Sequence, residues 1–244
     1  MIGAALMVAM VLAQAESPGK APAAVQVDCA KAGEADLVKK FDMCQTGWSP
    51  ADKWTKAARG RMRPLKLRHI RIVGALLPMK WAQLFDTGAK NNKWGNLGVI
   101  DIETGKPKPI YNVFLMYAMM PVRRVADECP GPLRCLAGAD EATVAVMLYN
   151  TTAAAAPARV TIRNHPFAGP APAHLSVLSV DKDHSSFWET AGTGELEVTD
   201  RRMLPAGAKA IELDVTVPGP GVKLLLLTAS KPAFPPGVID APGN

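Results

Sequence analysis

The sequence lacks most of the short patterns that mark enzyme chemistry. It has no Gly-x-Ser-x-Gly elbow, and none of its four histidines accompanies a nucleophile signature, which disfavours a Ser/His/Asp hydrolase. It has neither a Gly-x-x-x-x-Gly-Lys phosphate loop nor a Gly-x-Gly-x-x-Gly fingerprint, which disfavours a nucleotide enzyme. Cysteine is scarce: Cys29, Cys44, Cys129 and Cys135 are all there is. Neither Cys29/Cys44 nor Cys129/Cys135 has the two-residue separation of a zinc knuckle, and no histidine lies close to a cysteine, so neither a metal nor a cofactor is expected. After residue 15 no uncharged apolar run reaches bilayer-spanning length, so stable membrane insertion is not expected either.

What the chain does have is enough apolar mass for a core. It has 244 residues, 48% hydrophobic and 20% charged, which suits one or two domains and excludes a disordered tail. The 21 prolines and 20 glycines fall mostly between short apolar runs, which favours strands and loops over long helices. Ile2–Ala13 is apolar and uncharged and leads to Ala13-Gln14-Ala15, the small residues of a signal-peptidase site. No Lys or Arg precedes that run, so an uncleaved anchor competes with export; the expectation is a signal peptide over 1–15 and a secreted or periplasmic protein.

Four cysteines fit an oxidising compartment. Cys129 and Cys135 flank Pro130-Gly131-Pro132, a turn that can bring their Cα atoms within bridging distance, and Cys29 with Cys44 would then be the second pair. That is one of the three connectivities that four cysteines permit. The net charge of +6 is local: Lys53–Arg71 holds eight Lys or Arg and no acid, leaving −2 for the rest (+6 less 8). Such a stretch can serve nucleic acid or an acidic polysaccharide, but no series of stacking aromatics accompanies it. It reads as a solvated helix face followed by a strand, and no nucleic-acid partner is expected.

Residues 16–24 form a linker rich in Pro, Ala and Gly, and Val25-Gln26-Val27-Asp28 alternates as a strand does. Ser49 and Pro50 open a helix-like stretch, and Leu67–Val73 alternates apolar and basic residues. In the run 110–120, Val113, Met116, Tyr117 and Met120 recur at helical spacing and predict an amphipathic helix, its methionines in the core. Beyond Gly138 the predicted strands are 142–150, 158–164, 174–181, 195–199, 209–218 and 222–229, as in a β-sandwich. Ile211, Leu213, Val215 and Val217 alternate with polar residues, and Leu224–Leu227 is apolar on both faces, as a central strand would be. Residues 231–244 are Pro-rich and read as a flexible tail.

Three stretches resemble the β-xylosidase/α-L-iduronidase glycoside hydrolase family (family 39). Trp81-Ala82-Gln83-Leu84-Phe85-Asp86, Gly98-Val99-Ile100-Asp101 and Gly105-Lys106-Pro107-Lys108-Pro109-Ile110-Tyr111-Asn112-Val113-Phe114 are similar to its last barrel strand and last helix. Asp181-Lys182-Asp183-His184-Ser185-Ser186 resembles an Asp-x-x-His-Ser-Asn signature of its accessory β-sandwich, with Ser186 in place of the Asn. Val25–Asp28 and Leu67–Ile72 are similar to its first sandwich strand and first barrel strand.

The resemblance implies an α+β, β-rich protein: a β-sandwich accessory domain at 138–230 and an incomplete remnant of a (β/α)₈ barrel at 25–137. Most of a barrel of about 250 residues would be missing between Ile72 and Gly74. It also implies a retaining glycosidase, which needs two carboxyl groups about 5 Å apart on two barrel strands, both in the missing part. None of the nine glutamates follows an asparagine, the family's local pattern for the acid/base. Glu195 and Glu197 share a face of a predicted strand at about 7 Å by strand rise, which reads as exposed decoration. Asp181, Asp183 and His184 form the one polar cluster suited to a cation or a sugar hydroxyl, and a loop network is the plainer reading. Trp81 is the one candidate substrate-binding residue, as a floor for an apolar sugar face. The expected function is therefore glycosidase-like, with a carbohydrate partner, no catalytic residue assigned and hydrolysis incomplete in this chain. A non-catalytic carbohydrate-binding or structural sandwich module is the alternative.

Overall fold

The computed structural model describes residues 21–33, 99–101, 105–186 and 193–242. The export segment, the basic stretch 53–71, the strand expected at 67–73, Trp81 and Cys44 lie outside the described residues.

Among the described residues ten strands form two mixed sheets. In chain order they are β1 (Ala23–Ala32), β2 (Val125–Glu128), β3 (Leu133–Ala139), β4 (Thr143–Asn150), β5 (Ala156–Arg163), β6 (Ala173–Val180), β7 (Leu196–Leu204), β8 (Ala210–Val217), β9 (Gly221–Thr228) and β10 (Val238–Asp240). A four-stranded sheet runs β2-β1-β5-β8 and a six-stranded sheet runs β10-β7-β6-β9-β4-β3. Most neighbours are antiparallel; β1 with β5 and β10 with β7 are parallel. The helix α1 (Pro109–Met119) is the one α-helix among the described residues.

The layering follows from where each strand puts its apolar side chains. In β8 Ile211, Leu213 and Val217 are buried while Glu212 and Asp214 face out, so one face of that strand meets the core. β9 lies between β6 and β4 and is apolar on both sides. Its Leu225 and Leu227 enter the core between the two sheets, and its Leu224 and Leu226 enter a second core on the opposite face, beneath α1. The six-stranded sheet is thus covered on both faces, and burying those four leucines removes about 1.5–3 kcal/mol of unfavourable hydration each.

Helix α1 begins at Pro109, whose missing N–H costs nothing in a first turn, and Pro121 follows its C-cap Met120. Its buried residues are Tyr111, Asn112, Phe114, Leu115 and Met116, and Met120 beyond its end is buried too. Val113 and Tyr117 lie only at the rim of that core. The apolar stripe is thus rotated from the expected one, because a segment with a single polar residue carries little periodicity to read. Val99–Asp101 returns along Gly105–Lys108 through an Ile100–Pro107 bridge and a Lys108 N–H to Val99 O bond of 2.9 Å. This clip buries Val99 and Ile100 beside the helix.

Two boundaries differ from the sequence reading. β1 and β2 supply half of the four-stranded sheet and β3 edges the other, so residues 23–32 and 125–139 belong to the sandwich rather than to a separate unit ending near 137. The cause is burial: Val25, Val27 and Cys29 alternate inward and join Val160 and Ile162 of β5 in the inter-sheet core. Residues 231–242 also carry structure. Val238–Asp240 pairs with Leu196–Val198, and the guanidinium carbon of Arg201 lies 5.0 Å from the centre of the Phe234 ring.

Candidate functional site

The Lys-Pro-x-Tyr-Asn run and the Asp-x-x-His-Ser run are far apart in sequence and meet in space. Asn112 is the one polar side chain of α1 and is fully buried. Its Nδ2 donates to Ser185 O at 3.0 Å and to Gly194 O at 2.7 Å. Two flanking carbonyl oxygens fix which end of the amide is the nitrogen.

The loop that receives Asn112 is built around Asp181. Its Oδ1 accepts the N–H of Asp183 at 2.8 Å, the N–H of His184 at 3.0 Å, and contacts His184 Nδ1 at 2.9 Å. Asp181 N–H donates back to His184 O at 3.1 Å, closing a tight turn. Ser185 then adopts a left-handed backbone, φ 57°, and is fully buried. Its hydroxyl donates to Ser179 O and accepts the N–H of Glu197 at 2.9 Å, while Glu197 Oε1 accepts the Ser185 N–H at 3.2 Å. The loop, β6 and β7 are thereby tied to one another, and Asn112 ties all three to the helix.

This geometry decides what the polar residues can do. Asp181 Oδ1 and Glu197 Oε1 accept backbone N–H groups, Asp181 Oδ2 is buried without a partner, and Ser185 Oγ is held on both sides. The His184–Asp181 contact has the form of an orienting pair, but the adjacent serine hydroxyl is committed elsewhere. Glu195 stands one residue before β7 and Glu197 within it, both half-buried and alternating with buried Gly194, Leu196 and Val198. No group of three His, Cys, Asp or Glu suited to a metal ion occurs among the described residues. Gly221 of β9 backs the loop: a Cβ there would lie 3.3 Å from Asp181 Cβ and 2.9 Å from Pro218 O. Burial lowers the pKa of half-buried Lys223, against the pull of Asp181 and Asp200.

Cys29 is buried and carries a free thiol; Cys129 and Cys135 are half-buried and unbridged. Of the sandwich aromatics, Phe167 stacks on His165 in the core and Tyr149 is exposed. Among the described residues no row of exposed aromatics forms a sugar platform: the exposed large apolar side chains are Val122, Tyr149 and Met203. A shallow groove of about 350 Å³ runs past His174, Met203 and Lys231, and its two arginines are already paired, Arg201 with Asp240 at 2.7 Å and Arg202 with Asp200 at 2.8 Å.

Sequence reasoning missed Asn112, Ser179, Glu197 and Gly194 as members of this network. The available signal was a lone Asn inside the otherwise apolar run Pro109–Met119.

No protein-family model and no curated protein matches the sequence. Solved structures do match in fold. The family 39 glycoside hydrolase from Xanthomonas axonopodis pv. citri aligns with TM-score 0.50 and 17% identity over 78% of this chain and 44% of its own. A bacterial orthologue of human α-L-iduronidase aligns with TM-score 0.50 and 12% identity over 61% of this chain and 33% of its own. The chain therefore spans less than half the length of either, and the likeness is one of fold, to glycoside hydrolases.

Proposed function

We propose that this chain is a family 39-like glycoside hydrolase relative that keeps the accessory sandwich and the last helix packed on it, and that it does not cleave glycosidic bonds by itself. Its partner in this reading is a carbohydrate of the xyloside type, met outside the cell or in the periplasm, and the residues before the helix are a barrel remnant. The observation that carries the proposal is the Asn112 junction. The two most family-like signatures converge on one buried joint, in which Asp181 Oδ1 and Glu197 Oε1 accept backbone N–H groups. Cleavage by a retaining route needs two free carboxyl groups about 5 Å apart.

The test is nitrophenyl-β-xyloside hydrolysis by the purified chain, with a thermal melt on the same sample. The expected result is a cooperative melt and no turnover above a heat-killed control. Turnover that is lost on heating and survives repurification would overturn the proposal.

A further inference from the structure

β6 runs into the Asp181 loop that meets Asn112, and near its other end the six-stranded sheet carries the groove of about 350 Å³. Cross-strand register sets the floor of that groove. Ser176 lies opposite Arg201, and His174 opposite Met203, in the pairing of β6 with β7, so by the period of a strand these four side chains share one face. All four line the groove, and so do Lys231 and Pro232, just past β9. Ser176 is only 1% exposed, yet among the described residues its hydroxyl makes no hydrogen bond. A buried hydroxyl without a partner forfeits a bond that water would give it, and the open side of this one is the groove.

Charge narrows what can fill it. Three cations line the groove and no acid does. Arg201 and Arg202 are balanced by Asp240 at 2.7 Å and Asp200 at 2.8 Å, whereas Lys231 has no ion pair among the described residues, so one positive charge is left over. Arg201 spends only its Nε on Asp240, and the Phe234 ring, 5.0 Å from its guanidinium carbon, helps to hold the head in place. Its two terminal nitrogens make no hydrogen bond among the described residues. Met203, 63% exposed, and Pro232 add apolar walls.

We propose that the groove binds a small hydroxylated monocarboxylate, a sugar acid, whose carboxylate meets Lys231 and the terminal nitrogens of Arg201. A ligand hydroxyl, able both to donate and to accept, completes Ser176 Oγ, and the C–H face of the ligand lies on Met203 and Pro232. A single leftover charge suits a single carboxylate. A neutral sugar leaves Lys231 unpaired, and a bare carboxylate leaves Ser176 without its bond. The volume is near the lower end for small-molecule pockets, which suits a short ligand rather than a long chain. The carboxylate can belong to a free acid or to an acidic residue of a glycan, since both present the same groups. The inference does not rest on the xyloside reading, because no residue of the Asn112 joint takes part in it.

The experiment is a proton–nitrogen NMR titration of the full chain with sodium gluconate, methyl glucuronoside, xylose and sodium acetate at equal ionic strength. At least one of the two hydroxylated acids should shift the amides of Ser176, Arg201 and Lys231 saturably, with a Kd on the order of 1 mM. Tighter binding of gluconate assigns the site to a free acid, and tighter binding of the glucuronoside to a glycan residue. Xylose and acetate should each bind about tenfold more weakly or less. Lys231→Met, which keeps the apolar stem, should weaken binding by about fivefold or more, and Ser176→Ala by about threefold or more. Lys209→Met, which changes an exposed lysine outside the groove, should leave binding unchanged. No saturable shift with either acid, acetate or xylose binding as tightly as the acids, or unchanged affinity in Lys231→Met would each overturn the proposal. Lys231 is exposed, so that variant decides the question where Ser176→Ala folds poorly. None of these outcomes bears on xyloside turnover, so the two readings fail separately.

Discussion

Replacing Asn112 with alanine should weaken the whole sandwich, not only the helix. The substitution removes two hydrogen bonds, to Ser185 O and Gly194 O, and both acceptors sit in buried surroundings. A neutral hydrogen bond contributes about 1 kcal/mol net, but stranding a buried acceptor costs about 1–3 kcal/mol. Water entering the vacated space recovers part of that, so the expected loss is about 2–4 kcal/mol in total. That lowers the folding equilibrium constant by about 30- to 700-fold, at about 1.4 kcal/mol per tenfold. It is a large share of the roughly 5–15 kcal/mol that a domain has. Asn112→Asp keeps the volume but sets a carboxylate against two carbonyl oxygens, so it should be worse than alanine at neutral pH and recover as the pH falls and the carboxyl protonates. Urea unfolding of wild type, both variants and Val113→Ala as a control on the same helix reads these differences. An alanine variant within about 0.5 kcal/mol of wild type, or an aspartate variant milder than alanine, would refute the reasoning.

Three further outcomes follow from the same structure. Gly219→Ala should destabilise by about 2 kcal/mol or more in a thermal melt, because a Cβ there would run into the carbonyl oxygens of Thr152 and Ala154, which are backbone and cannot swing away. His165 is buried, accepts the Phe167 N–H on Nδ1 at 3.2 Å, and has its pKa lowered by burial against a weaker opposite pull from the Ala208 backbone. Below about pH 6.5 the unfolded chain takes up a proton that the fold resists, so stability should fall as pH falls from there, and the fall should be smaller in His165→Gln; equal pH slopes of the urea midpoint in the two would contradict it. Closing the seven-residue loop from Cys129 to Cys135 should add about 2 kcal/mol to the oxidised protein relative to the reduced one, seen as a higher urea midpoint.

Where the chain repeats a short period, the fold could be read from it. The alternation in β8 and the doubly apolar Leu224–Leu227 gave their strands and even the central place of β9, because side-chain direction in a strand depends on nearest neighbours alone. The helical spacing in the run 110–120 located the helix for equally local reasons. The parallel pairing of β1 with β5 was not legible, since it joins Ala23–Asp28 to Ala158–Arg163 with no turn between them to betray it. The site was legible as two motifs and illegible as a joint. Asn112 bonds to backbone carbonyls 73 and 82 residues away, and a carbonyl has no letter in the sequence. Ser185 hid its left-handed conformation in the same way, because a serine does not advertise a positive φ as a glycine would. Trp81 and Cys44 lie outside the described residues, so the proposed sugar floor and the second cysteine pair are carried by the sequence alone.

Joined at Asn112, α1 and the sandwich should behave as one cooperative unit. Native-state hydrogen exchange tests it most directly by following the helix amides together with those of Asp183 and His184, which Asp181 holds. The account predicts that both groups open with the same free energy and the same denaturant dependence, and that Asn112→Ala lowers them together. Helix amides that exchange at a much lower free energy than the rest, unchanged by Asn112→Ala, would contradict it.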